Sequence, residues 1–137
     1  SILNTPNTFA VYMASRVFAW IKRHGGVSAF EKENIAKSSL LYDAIDSSGF
    51  FVNKIPKSCR SRMNLTFFVD NESLGISKER KFELEALFVS EANANNLLNL
   101  KGYRSLDGMR ASLYNAMGID GVMVLIDFMK DFESRYG

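Results

Sequence analysis

Phe9, Tyr12, Met13, Val17, Trp20 and Ile21 recur at the three- and four-residue spacing that brings side chains to one face of an α-helix. Thr5-Pro6 supplies a cap residue followed by a first helical position, where proline loses nothing because that N–H has no helical partner. Gly25-Gly26 stops the run, so the pattern predicts a helix from about Pro6 to His24. Ser28 and Glu31 have capping-box spacing for a second helix, whose stripe of Phe30, Leu41 and Ile45 leads to Ser48-Gly49. The two helices follow one another as a helical hairpin.

The period then changes. Phe50-Phe51-Val52 reads as a short strand, and Met63, Leu65, Phe67 and Val69 alternate with Asn64 and Thr66 as in a half-buried strand. Asp70 to Ser77 is a loop. A third helix is predicted from about Lys78 to Asn95, with Phe82, Ala86 and Val89 on one face and Asn95-Asn96 as its end. Met109 to Tyr114 forms a further strand, and a last helix from about Ile119 to Arg135 carries Val122, Leu125, Ile126, Met129 and Phe132 on one stripe. The order ααββαβα predicts an α+β fold, helices packed on a small, mostly antiparallel sheet. No internal repeat or low-complexity tract interrupts it.

Composition narrows the function. The 137 residues suffice for one domain with a real core. A net charge of +2 is spread without a long basic run, and the aromatics fall on helical core stripes, which argues against nucleic acid as a partner. Cys59 is the single cysteine, so an internal disulfide is excluded and a reducing compartment, the cytoplasm, is expected. The densest apolar run, Val122 to Ile126, ends at Asp127, far short of a membrane span. The N-terminus has neither the charge nor the apolar stretch of a signal peptide; it opens almost directly into a helix without a methionine and reads as a segment of a longer protein.

The candidate chemistry is anion binding. Arg104 and Arg110 stand where a turn-prone loop hands over to a strand, and arginine offers a planar, two-pronged donor set to carboxylate or phosphate. Strand alternation puts Arg110, Ser112 and Tyr114 on one face and Met109, Ala111 and Leu113 on the other. Asn4 and Thr5 precede a helix start, where free N–H groups and the helix dipole favour a phosphate. Against these stand ordinary solvated arginines and a simple cap at Thr5. His24, the one histidine, suits the C-terminus of the first helix. Arg60 and Arg62 flank Ser61 as a basic rim or as edge-strand charge. No nucleophile–base set, metal-ligand spacing or phosphate-cradling glycine loop is present.

Asn4-Thr-Pro-Asn-Thr-Phe9, Lys37-Ser-Ser-Leu-Leu-Tyr42 with Ala44-Ile-Asp46, Arg60-Ser-Arg-Met-Asn64, and Leu100-Lys-Gly-Tyr-Arg104 through Arg110-Ala-Ser-Leu-Tyr-Asn-Ala116 together resemble the C-terminal part of the phosphoserine aminotransferase family. The resemblance spans nearly the whole chain. It implies the small C-terminal domain of a fold type I, pyridoxal-phosphate-dependent enzyme, a homodimer that transfers an amino group between glutamate and 3-phosphohydroxypyruvate in serine biosynthesis. Residues 1–25 would then be a long helix leading out of a large cofactor-binding domain, with Val11 and Phe18 besides the main stripe covering surface of that domain.

The resemblance further implies that Asn4 and Thr5 contact the cofactor phosphate, that Arg110 holds the substrate α-carboxylate, and that Arg104 with Tyr103 holds the substrate phosphate across the dimer interface. The Schiff-base lysine lies outside this chain, which alone should be inactive. Two positions depart from the family pattern. Tyr103 replaces a common histidine and can donate a hydrogen bond but no positive charge, and Asp107-Gly108 replaces two glycines. The alternative is a non-catalytic, anion-binding regulatory domain on the same scaffold.

Overall fold

The computed structural model describes residues 4–103 and 107–137. Its elements are α1 (Thr8–Arg23), α2 (Gly26–Ser47), β1 (Phe51–Val52), β2 (Asn64–Val69), α3 (Lys78–Ala94), β3 (Met109–Ser112) and α4 (Ile119–Tyr136), with a 3-10 turn at Lys57–Cys59. The order is the one predicted. The chain divides into two compact units, Ser1–Glu33 and Asn34–Gly137.

In the first unit the cap is Asn7, not Thr5: its side-chain oxygen accepts the Ala10 amide at 3.1 Å, and Pro6 stands ahead of the cap instead of opening the helix. Asparagine caps at least as well as threonine, and the residue nearer the apolar stripe takes the role. At the other end Gly25 and Gly26 hold φ of +91° and +76°, a left-handed turn that lets α2 begin at once. Ser28 is therefore inside α2, and the predicted capping box has no helix start to close. Trp20 packs on Phe30 across this turn, ring centroids 4.8 Å apart, while Nδ1 of His24 lies 2.9 Å from the Trp20 carbonyl oxygen as α1 ends. No residue of α1 is buried; Phe9 and Phe18 are 72% and 69% exposed.

In the second unit the sheet runs β1-β2-β3 and is antiparallel throughout. Alternation works as expected: Leu65, Phe67, Val69, Met109, Ala111 and Leu113 are buried. They form one core with Leu41 and Ile45 of α2, Leu84, Phe88 and Ala92 of α3, and the α4 stripe Val122, Leu125, Ile126, Met129 and Phe132. Phe88 sits at its middle, edge-on to Phe51, Phe67, Phe128 and Phe132 at centroid distances of 5.0 to 5.8 Å.

The inward face of α3 differs from the prediction. Phe82 is 46% exposed and Ala86 is exposed, whereas Lys81 and Glu85 are buried alongside Leu84, Phe88 and Ala92. Two charged residues in the buried register flatten the apolar periodicity, so the largest side chain misleads.

Candidate anion-binding site on strand β3

Arg110 stands opposite Thr66 of β2, and its own amide donates to the Leu100 carbonyl at 2.8 Å. Its backbone is thus held on both sides. Ser112, two residues on and on the same face, donates to the Asn64 side chain at 2.9 Å. Arg110 lines a cavity of about 570 Å³ with Asn96, Asn99, Ser112, Tyr114 and Gly121, a size suited to a small organic ligand. Its Nε is shielded from solvent and has no hydrogen-bond partner among the described residues. A buried guanidinium donor without an acceptor is costly, and a ligand carboxylate in the cavity would relieve that cost.

The approach to β3 is shaped by its neighbours. Lys101 bridges to Met109, the Gly102 amide donates to the Gly108 carbonyl at 2.9 Å, and the Asp107 amide donates to the Tyr103 carbonyl at 3.2 Å. Gly108 has φ +69°, and a side-chain carbon there would strike the Phe68 ring and the Phe67 carbonyl. Beneath it the buried carboxylate of Glu85 accepts the amides of Val69 at 3.1 Å and Gly108 at 3.2 Å, with Lys81 Nζ 3.6 Å away. Burial pushes the Glu85 carboxyl above its ordinary value, the hydrogen bonds and Lys81 offsetting it only in part.

Tyr103 is 65% exposed and faces a second cavity, of about 620 Å³, with Phe82, Ala86, Val89 and Asp107. Within one chain Tyr103 and Arg110 therefore line separate cavities. Arg104 lies outside the described residues. Asn4 and Thr5 are exposed just ahead of the Asn7 cap, and neither side chain has a hydrogen bond among the described residues.

Arg60 serves neither as rim nor as solvated edge charge. Both its terminal nitrogens hold Asp46, at 2.8 and 2.7 Å, and it stacks on Tyr42. Lys37, to which no role was expected, is 3% exposed and donates to the carbonyls of Tyr114 and Met117, each at 3.0 Å, pinning the turn that follows β3. A signal for it existed: Lys37 lies on the stripe of Phe30, Leu41 and Ile45, at intervals of seven and four residues. Glu85 has the same kind of signal, four residues after Lys81 and three before Phe88.

Among the described residues no helix is long and apolar enough to cross a membrane, and no cluster of His, Cys, Asp and Glu could hold a metal ion. No protein-family model matches the chain. A phosphoserine aminotransferase of Herminiimonas arsenicoxydans is 51% identical over all 137 residues, which make up 35% of that protein. Among solved structures, the phosphoserine aminotransferase of Bacillus circulans subsp. alkalophilus superposes with a TM-score of 0.87 at 38% identity, over 98% of this chain and 35% of its own. The pyridoxal-phosphate-bound phosphoserine aminotransferase of Trichomonas vaginalis gives 0.83 at 40% identity, over 94% of this chain and 34% of its own. The chain spans about a third of the length of the curated relatives it matches. By sequence along its whole length and by fold, the chain is homologous to the C-terminal part of the phosphoserine aminotransferases.

Proposed function

We propose that this chain is the substrate-carboxylate part of a phosphoserine aminotransferase, a homodimer that moves an amino group between glutamate and 3-phosphohydroxypyruvate. The observation that carries the proposal is the buried, unpartnered Nε of Arg110 in a ligand-sized cavity. Arg110 holds the α-carboxylate common to amino-acid and oxo-acid partners, and its strand backbone, bonded to β2 and to Leu100, orients that grip. Tyr103, with Arg104, holds the substrate phosphate. Tyr103 and Arg110 line separate cavities, which supports a phosphate held by Tyr103 and Arg104 in the site of the other subunit.

Asn4 and Thr5 offer an amide and a hydroxyl without hydrogen-bond partners among the described residues, next to a helix start, a donor set suited to the phosphate of pyridoxal phosphate. When bound, that cofactor supplies the electron sink for amino transfer. The residues of this chain bind and orient; the lysine that moves protons belongs to another part of the enzyme.

The test is kinetic, in the complete enzyme. Arg110→Lys keeps the charge but loses the planar fork and should raise KM for glutamate by about tenfold or more. Unchanged glutamate kinetics would remove the role assigned to Arg110. The chain alone, given pyridoxal phosphate and both substrates, should show no transamination.

A further inference from the structure

Glu85 is a buried carboxylate on the wall of the Tyr103 cavity, and both its oxygens are committed to backbone amides at the ends of strands. One is Val69, the last residue of β2; the other is Gly108, which immediately precedes β3 and lies two residues before Arg110. Gly108 cannot be held by a side chain of its own, since its left-handed φ and the Phe68 ring admit only glycine. Its amide faces away from the Gly102 pairing, which uses the Gly108 carbonyl. The carboxylate is thus the one acceptor the described structure gives that amide.

We propose that Glu85 is a positioning residue: by accepting the Val69 and Gly108 amides together it sets where β3 begins and so the placement of Arg110. The ionised form is required. A protonated carboxyl turns one oxygen into a donor and a much poorer acceptor, so the hydrogen bond of one of the two amides weakens. The groups facing Glu85 are Lys81 on its own helix, with Lys101, Tyr103 and Asp107 around the adjoining cavity. Lys81 also lies 5.1 Å from the centroid of the Phe68 ring, so the cation is kept beside the carboxylate by packing.

The role of Arg110 in binding glutamate rests on the proposed function; the link from Glu85 to Gly108 does not. Two experiments keep them apart. In the first, the amide of Gly108 and the Nε–H of Arg110 are followed by nuclear magnetic resonance across the titration of Glu85 in the complete enzyme. Both resonances should move with the Glu85 carboxyl, and neither should move over that range in Glu85→Gln. Flat resonances in the unsubstituted chain would overturn the proposal, whatever the variant does.

In the second, Glu85→Gln in the complete enzyme should raise KM for glutamate by about fivefold, the equivalent of one lost hydrogen bond, with kcat within about twofold. It should also remove the acid-side dependence of KM. An unchanged KM alongside a moving Gly108 amide would refute positioning of Arg110 while leaving the hydrogen bond in place. Coupled resonances in a protein without transaminase activity would instead refute the proposed function and leave Glu85 as the device that places Arg110.

Discussion

Arg60 grips α2 at two successive turns: its guanidinium lies 4.5 Å from the centroid of the Tyr42 ring while its terminal nitrogens form a two-pronged pair with Asp46 at 2.8 and 2.7 Å. Tyr42 in turn donates to the Ser61 carbonyl at 3.0 Å, tying α2 to the segment that enters β2. Arg60→Lys keeps the charge but neither the fork nor the stack, and should cost about 1–2 kcal/mol in urea unfolding. An unchanged midpoint would mean the pair is replaceable by solvent.

The same pair predicts an acid dependence. The hydrogen bonds of Arg60, and then those of Lys57, hold the Asp46 carboxyl below its ordinary value. Its contribution to stability is therefore full above the pKa of an unfolded aspartate and is lost as pH falls through the lower folded value. Asp46→Asn should flatten the acid limb of the stability curve, measured by unfolding at successive pH values. Glu85, raised by burial, acts with the opposite sign: burial penalises the ionised carboxylate that the two amides hold, so the fold loses stability as pH rises through its folded value.

Gly108→Ala puts a methyl group into the Phe68 ring and forces a left-handed φ on alanine. A loss of about 3 kcal/mol or more is expected, well beyond an ordinary loop substitution. Thermal unfolding of the variant checks it, and a loss under about 1 kcal/mol would show that the Glu85 end of β3 can shift to make room.

Lys37→Met removes the amine that bridges the Tyr114 and Met117 carbonyls while conserving most of the apolar stem. Stability should fall by about 2 kcal/mol, with the largest rise in amide exchange at residues 114–117. Exchange that rises evenly over the domain would assign Lys37 to general packing instead.

Arg110 is expected to trade stability for binding. Since its Nε is buried without a partner, Arg110→Met should leave the fold as stable as before or more stable by about 1 kcal/mol, while abolishing carboxylate recognition. Equilibrium unfolding alongside glutamate kinetics separates the two effects. Marked destabilisation would mean that the guanidinium is a structural group.

Much of this was legible from local pattern. The α4 stripe, the β2 alternation and the span of α3 all follow from periods and end signals that operate within a few residues, and the structure keeps them. Where two local signals competed, as between Thr5 and Asn7, or between a capping box at Ser28 and a glycine turn at Gly25-Gly26, the sequence alone did not rank them. The outward setting of Arg110 was readable because strand alternation is strict.

What the amino-acid sequence determined by itself was the order and kind of the elements, the side of β3 on which Arg110 lies, and, through its motifs, the family. Only the tertiary structure decided the use of the buried charges. Whether Lys37 and Glu85 are solvated or committed depends on which carbonyls and amides the fold brings beside them, and Tyr114, Met117 and Gly108 are far from them in sequence. A charge enters the interior when distant backbone groups meet it there with hydrogen bonds, and that meeting is a property of the assembled fold.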